Sequence, residues 1–308
     1  MRIAVIGVGH LGRHHARILA ELPSADLIGV ADVNFGRAQE IASARHTTAF
    51  ADWRELLGRV DAVTIAAPTE AHTEIAAAFL EHGVHVLVEK PMTATTAEAD
   101  RLLQIAAARG ATLAVGHTER FNPAVAYVKP LVDEPRFIEV HRLGTFPERS
   151  LDIDVVFDLM IHDLDVVLDI VGEEVIGIEA VGVPVLTPRI DIANVRLRFA
   201  NGCIANLTAS RISRDRVRKI RFFQRDAYVS IDYAAQEVEM WRLVPKAGQM
   251  PGIEGGRIEI AHEEPLKREL EDFVDAIRDG RPPVVTGQQG RAALALAERI
   301  VERMEIAT

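Results

Sequence analysis

The chain has 308 residues, 48% of them hydrophobic and 26% charged, with a formal net charge of -10. This composition is typical of a globular protein, and a length beyond the ~250 to 300 residues of a single core predicts two domains. The negative charge argues against general nucleic-acid affinity, and no apolar run approaches the ~20 residues of a membrane span. Because the first residues lack an export-signal pattern and Cys203 is the single cysteine, we expect a cytoplasmic protein without a membrane partner.

The first third of the chain alternates short apolar runs with amphipathic segments. One such segment, "EAHTEIAAAFLEHG", has apolar residues at helical spacing and ends in a glycine. Strands are predicted at "RIAVIG" (2–7), "DLIGVAD" (26–32), "DAVTIAA" (61–67), "VHVLVE" (84–89) and "ATLAVGH" (111–117). Nearly continuous apolar strands separated by helices indicate a doubly wound parallel sheet, so we predict a Rossmann-type α/β domain at residues 1–119.

The pattern changes after about residue 135. The segment "IANVRLRF" (192–199) alternates apolar and polar residues, and Asn201-Gly202 then leads into "CIANLTAS", which predicts a β-hairpin. Further strands are predicted at "RVRKIRFFQ", "YVSIDY" and "EVEMWRL", and helices near 265–279 and 287–305. We therefore predict an α+β domain at residues 120–308 with a large, mostly antiparallel, open-faced sheet, whose terminal helices can pack back on the first domain.

A glycine-rich turn directly follows the first predicted strand. Its spacing is that of a dinucleotide-binding turn, which requires glycine for the tight turn, for close approach of a pyrophosphate and for helix packing. Asp32 ends the second predicted strand, where a carboxylate can bind the adenosine ribose hydroxyls. The alternative is a turn with a capping aspartate. Because a carboxylate repels a 2′-phosphate, we expect NAD rather than NADP, bound by Gly7, Gly9, His10, Leu11, Gly12 and Asp32.

Lys90 stands at the end of the predicted strand 84–89 and directly before Pro91. Ligands of doubly wound sheets bind outside the carboxyl ends of the strands, so we expect Lys90 near the nicotinamide end of the cofactor. A lysine held rigidly there can exchange a proton with a substrate hydroxyl. An ordinary lysine at a strand end is the alternative that its position leaves open.

A second candidate group lies in "VVFDLMIHDLDVVLDIVG" (155–172). Asp158 and His162 are four residues apart, so a helix places them on one face. An acid and an imidazole on that face can orient a sugar hydroxyl and exchange its proton. Zinc binding and simple helix-surface polarity are the alternatives, but no HExxH motif or cysteine cluster accompanies the pair, so we predict no metal site.

The order of these motifs resembles that of the Gfo/Idh/MocA oxidoreductases, the glucose-fructose oxidoreductase and inositol dehydrogenase family. The resemblance covers essentially the whole chain. The similar segments are Gly7-x-Gly9-x-x-Gly12, "APTEAH" (67–72), Glu89-Lys90-Pro91, "ERFNP" (119–123), Asp158-x-x-x-His162 and the C-terminal "ELEDFVDAIRDGRPPVVTGQQGRAALALAERI".

This resemblance implies a nicotinamide-dependent dehydrogenase that acts on a sugar or cyclitol hydroxyl. It implies Lys90 as a proton relay, with Asp158 and His162 completing the catalytic set. It also implies a homodimer or homotetramer that associates through the open sheet. Around the cofactor it places Pro68, Thr69, His72 and Glu89.

The segment from "LTPRIDIANVRLRF" to "RKIRFFQRDAYVSIDY" is similar to a branch of this family found with lipid A biosynthesis, whose members oxidise the 3-hydroxyl of UDP-N-acetylglucosamine. A basic band can bind the diphosphate of such a substrate. It comprises Arg211, Arg214, Arg216, Arg218, Lys219, Arg221 and Arg225. The alternative is a solvated sheet edge. Arg120 and Asn122 are further substrate candidates.

Three other functions stay open at this point. The enzyme can act on a free sugar or an inositol, the chain can bind NAD as a sensor without turnover, or the basic band can serve a nucleic-acid-binding regulator. The presence of Lys90, Asp158 and His162 together favours a dehydrogenase, because a sensor would not need those three side chains.

Overall fold

The computed structural model describes residues 1–146, 153–245 and 250–306. The chain forms two compact units: Met1–Thr118 with Leu266–Leu294, and Glu119–Pro265 with Ala295–Thr308. Among the described residues, no helix combines the length and apolarity needed to cross a bilayer.

The first unit contains a parallel sheet of six strands. Its strands are β1 (Arg2–Ile6), β2 (Asp26–Ala31), β3 (Thr48–Phe50), β4 (Ala62–Ile65), β5 (His85–Glu89) and β6 (Leu113–Gly116). The helices between them are α1 (Gly12–Glu21), α2 (Phe35–Arg45), α3 (Thr69–Glu81) and α4 (Thr96–Arg109). The strand order β3-β2-β1-β4-β5-β6 is the doubly wound order of dinucleotide-binding folds, so the predicted fold class is confirmed. The sequence analysis missed β3, which is too short to show a period.

The second unit is built on a nine-stranded sheet in the order β14-β13-β12-β11-β7-β10-β9-β8-β15. The strands are β7 (Phe137–Leu143), β8 (Val175–Val183), β9 (Ile192–Phe199), β10 (Ile204–Ser210), β11 (Val217–Gln224), β12 (Ala227–Asp232), β13 (Glu237–Val244), β14 (Gly252–Ile258) and β15 (Met304–Ile306). Its first helices are α5 (Pro123–Val128) and α6 (Ile161–Val171). Most neighbouring strands are antiparallel, as predicted, but β10 pairs with β7 and β15 with β8 in parallel.

Two helices near the C-terminus are α7 (Pro265–Asp279) and α8 (Gly287–Glu302). In the first unit, Leu270, Phe273 and Val274 of α7 join the core formed by α1 and β1. The prediction that the last helix extends to residue 305 is wrong for its final residues. Since β15 pairs with β8, those residues satisfy their backbone groups in the sheet and not in a helix.

The two faces of the second sheet differ in burial. In β9, Ala193, Val195 and Leu197 are almost fully buried in the core that also contains Leu164 and Val167 of α6. The alternate residues of the strand are exposed. Successive side chains of a strand point to opposite faces, so one face packs on helices while the other is open in the described part of this chain.

Candidate active site

The glycine turn after β1 has the geometry that its spacing predicts. Gly7 has a φ of +82°, and a Cβ atom there would lie 2.8 Å from the Ala66 backbone. A Cβ atom at Gly12 would lie 1.8 Å from the Gly7 carbonyl oxygen. By contrast, nothing lies within 4 Å of the Cβ position of Gly9. Packing therefore demands the first and third glycines, whereas the second leaves open the backbone that a pyrophosphate approaches.

The Asp32 carboxylate lies beside this turn. Its Oδ2 accepts a hydrogen bond from the Val8 amide at 2.9 Å, and its Oδ1 accepts one from the Asn34 amide at 2.8 Å. The guanidinium of Arg37 is 3.7 Å from Oδ2. The carboxylate is thus fixed at the carboxyl end of β2, where an acid binds ribose hydroxyls and repels a 2′-phosphate. His10 and Leu11 are exposed at the turn. The turn and Asp32 fit a nicotinamide adenine dinucleotide and define a dinucleotide-binding unit.

Lys90 is half-buried directly after β5. The preceding Glu89 is buried, with its Oε1 3.0 Å from Nε2 of His15 and its Oε2 accepting the Lys90 amide at 3.3 Å. Burial would raise the pKa of Glu89, but the hydrogen bond and charge of His15, together with the charge of Lys90, outweigh it and lower that pKa. The Glu89 side chain therefore binds protein groups with both oxygens, and the cofactor contact that the resemblance implies stays a prediction.

His72, which the resemblance places at the cofactor, contacts two backbone carbonyl oxygens. Its ring is almost fully buried, with Nδ1 3.0 Å from the Pro91 carbonyl oxygen and Nε2 2.9 Å from that of Ala67. Pro68 is exposed and Thr69 begins α3, so these two residues lie at a helix N-terminus, which favours anionic groups.

Asp158 and His162 lie on consecutive helical turns of the second unit. Asp158 belongs to a π-helical turn, Val156–Met160, and His162 to the first turn of α6. The prediction of a single α-helix is therefore corrected, because the segment begins with a wider turn. Such π-turns occur frequently at functional sites. Both side chains are half-buried, so each is partly accessible to a ligand.

An arginine that the sequence analysis did not single out holds this helix. Arg142 of β7 donates from Nε to Oδ2 of Asp163 at 2.6 Å and from Nη2 to Oδ1 at 2.9 Å. Its Nη1 donates to Glu119 at 3.0 Å. Burial lowers the pKa of Arg142, but the charges of Asp163 and Glu119 outweigh burial and raise it. The sequence signal for a basic partner is the presence of carboxylates in an otherwise apolar helix, because a buried acid is rarely found without a paired charge.

The predicted substrate residues Arg120 and Asn122 are buried and have structural partners. Arg120 lies 2.7 Å from Asp169 through Nη2 and 3.5 Å from Asp165 through Nη1. Asn122 donates to the Tyr233 carbonyl oxygen at 3.0 Å and caps α5. These contacts give both side chains structural roles in the second unit, and their assignment to the substrate stays a prediction.

The basic band does not form one surface. Arg211 is 1% exposed and binds Asp191 at 2.8 Å and the Ile153 carbonyl oxygen at 2.6 Å, so it is a structural residue. In β11, Arg218 shares the face of the buried Ile220, whereas Lys219 and Arg221 lie on the open face with Asp232 and Glu139 as partners. The exposed members are Arg214, Arg216, Arg218 and Arg225. Arg211 therefore does not belong to the predicted band, and diphosphate binding by the exposed members stays a prediction.

Comparison with known proteins agrees with this geometry. Residues 1–117 match the family described as "Oxidoreductase family, NAD-binding Rossmann fold", and residues 134–229 match the "GFO/IDH/MocA C-terminal domain". The chain is 42% identical over 304 residues to UDP-N-acetylglucosamine 3-dehydrogenase of Acidithiobacillus ferrooxidans. The match covers 97% of this chain and 96% of the relative. It is 27% identical to Myo-inositol 2-dehydrogenase of Thermotoga maritima, over 99% of this chain and 96% of the relative.

A solved structure of UDP-N-acetylglucosamine 3-dehydrogenase from Acidithiobacillus ferrooxidans has a TM-score of 0.92 and 40% identity, covering 99% of this chain and 97% of that one. The chain belongs to the Gfo/Idh/MocA oxidoreductase family. It is an NAD-binding oxidoreductase, and the family resemblance read from the motifs is confirmed.

Proposed function

We propose that the protein oxidises the 3-hydroxyl of UDP-N-acetylglucosamine with NAD. The observation that carries this proposal is the 42% identity to the relative of that activity, which extends over 97% of the chain and so includes both units. The identity to the inositol dehydrogenase is lower, at 27% over a similar share of the chain.

In this reaction the hydroxyl loses a proton and the ring carbon becomes a carbonyl. The cofactor, when bound, accepts the hydride from that carbon. Lys90 and His162 are the proposed proton acceptors, and Asp158 is proposed to orient His162. General acid-base catalysis of this kind contributes about 10²- to 10⁴-fold. Its loss should therefore slow the chemical step more than binding.

A substrate panel tests the proposal. NADH formation would be measured with UDP-N-acetylglucosamine, free N-acetylglucosamine and myo-inositol at equal concentrations. We expect the highest kcat/KM for the UDP-sugar. A higher value for myo-inositol or the free sugar would overturn the proposed substrate, and an inositol dehydrogenase is the second candidate because such enzymes are among the relatives. NAD binding without turnover of any of them would favour a sensor.

We also propose that the protein forms a homodimer or homotetramer through the open face of the nine-stranded sheet. A cross-strand aromatic row supports this, because Phe137, Phe223, Tyr228 and Trp241 are successive partners in register on that face. Aromatic side chains are enriched in protein interfaces. Light scattering at micromolar concentration should show at least a dimer, and Phe223→Lys should lower the mass. A monomeric wild type would contradict the proposal.

A further inference from the structure

Two buried histidines of the first unit hold the Glu89-Lys90-Pro91 segment. His15 of α1 is 0% exposed, and its Nε2 lies 3.0 Å from Oε1 of Glu89. Because a carboxylate only accepts, this contact is a hydrogen bond in which Nε2 donates. The second carboxylate oxygen accepts the Lys90 amide. His15 is thereby linked to the backbone of Lys90 through one carboxylate.

His72 holds the same segment from α3. Its Nδ1 lies against the Pro91 carbonyl oxygen and its Nε2 against the Ala67 carbonyl oxygen. A neutral imidazole has one N–H and donates to one of these oxygens, so a hydrogen bond to Pro91 requires the tautomer with that N–H on Nδ1. Burial lowers the pKa of His72, while the carbonyl oxygens of Ala67 and Pro91 oppose that shift. The ring is 1% exposed, so its contacts are internal to the protein.

The sheet has room for this arrangement because its neighbouring strand carries a glycine. Gly116 of β6 is the register partner of Glu89. A Cβ atom at Gly116 would lie 2.9 Å from Oε2 and 3.0 Å from Cδ of Glu89. Any other residue would displace the carboxylate that binds the Lys90 amide.

We propose that His15 and His72 are positioning residues that fix Lys90 for proton transfer, His15 through Glu89 and His72 through the Pro91 carbonyl. This inference rests on the proposed role of Lys90. Both rings are buried within the first unit, so they act on Lys90 and not on the substrate. A misplacement of about 1 Å at a catalytic group can cost ~10²-fold in rate, which gives these internal contacts a catalytic effect.

Reciprocal amide substitutions test the inference without creating cavities. The side-chain nitrogen of glutamine replaces Nε2 of a histidine, and that of asparagine replaces Nδ1. His15→Gln and His72→Asn keep a nitrogen at the position that makes the contact, so they should retain most of the wild-type kcat. His15→Asn and His72→Gln move that nitrogen away and should lower kcat about tenfold or more. Gly116→Ala should lower kcat as His15→Asn and His72→Gln do. His82→Asn is the control, because His82 is exposed at the C-cap of the helix that contains His72.

The readouts separate positioning from stability and from the proposed function. We expect the variants with lower kcat to stay folded with a reduced Tm, because each disturbs a buried polar contact. They should keep NAD affinity, change kcat more than KM and alter the pH profile of kcat. In a Lys90→Met background the same substitutions should have no further effect on kcat. If Lys90→Met is inactive but both amides at each position give equal kcat and wild-type pH profiles, the positioning inference alone is wrong. If Lys90→Met retains turnover, the proton-relay proposal fails and the inference fails with it.

Discussion

The glycine turn of the first unit and the α6 segment of the second are held in different ways. In the turn, Gly7 and Gly12 define the shape within one short stretch. In α6, Asp163 binds Arg142, 21 residues away, and Ile153, which precedes the helix, binds Arg211, 58 residues away. A contiguous motif therefore encodes the cofactor turn, whereas partners from distant strands fix the helix of the proposed catalytic pair.

The largest expected effect comes from breaking a distant partnership. Arg142→Ala leaves Asp163 and Glu119 without the guanidinium that binds both, and losing one partner of a buried pair costs about 3–5 kcal/mol. Arg257→Ala is the control, because its pair with Glu237 is exposed and such pairs contribute about 0–1 kcal/mol. Urea titration monitored by circular dichroism measures both. An equal loss of unfolding free energy in the two variants would show that the contacts of Arg142 with Asp163 and Glu119 do not stabilise the second unit.

A smaller effect is expected within the contiguous turn, where two glycines differ in their surroundings. Gly12→Ala should lower the free energy of unfolding by about 1–3 kcal/mol, since the new methyl group overlaps the Gly7 carbonyl oxygen. Gly9→Ala should leave stability within about 0.5 kcal/mol, as expected of a surface change without such overlap. It should weaken NAD binding about tenfold, or ~1.4 kcal/mol.

Thermal unfolding and NAD titration by protein fluorescence check both glycine variants. A Gly9→Ala protein that binds NAD like the wild type would contradict the assignment of the turn to the pyrophosphate.

The next prediction concerns pH and the buried carboxylates of α6. Burial, opposed by Arg120 and reinforced by Asp169, raises the pKa of Asp165 to about 7. An unfolded aspartate has a pKa of ~3.9, so protonated Asp165 stabilises the fold below pH ~4 and this contribution is lost as the pH rises to about 7. The slope is at most about 1.4 kcal/mol per pH unit. Asp165→Asn should reduce the loss of unfolding free energy between pH 5 and pH 8, measured by urea titration at each pH. An unchanged decline would contradict the raised pKa.

The elements that the sequence predicted are those with a strong period or a contiguous motif. β9 was predicted with the bounds that the structure shows, since its alternation spans the whole strand. β3 has three residues and no readable period. The parallel pairing of β7 with β10 joins strands far apart in the chain, which neither pattern nor turn chemistry reveals.

The same distinction explains the candidate site. Gly7 to Gly12 could be singled out by their spacing, and Asp32 and Lys90 by their positions at the ends of predicted strands. The partners of Arg120 and Arg211 could not be predicted because they lie far away in the chain: Arg120 binds Asp169, and Arg211 binds Asp191. The roles of His15 and His72 depend on atoms of Glu89 and Pro91, which only the folded sheet brings to them.

The central proposal is that Lys90 and His162 both take part in proton transfer as one functional unit. Its most direct test is single-turnover NAD reduction at saturating UDP-N-acetylglucosamine with Lys90→Met, His162→Asn and the double variant. Each single change should slow the chemical step by at least ~10²-fold while NAD affinity is kept. The double variant should be little slower than the slower single one, because groups that act as a unit are not additive. A Lys90→Met enzyme within about threefold of the wild type, far short of the ~10²-fold expected for a general acid-base group, would contradict the account.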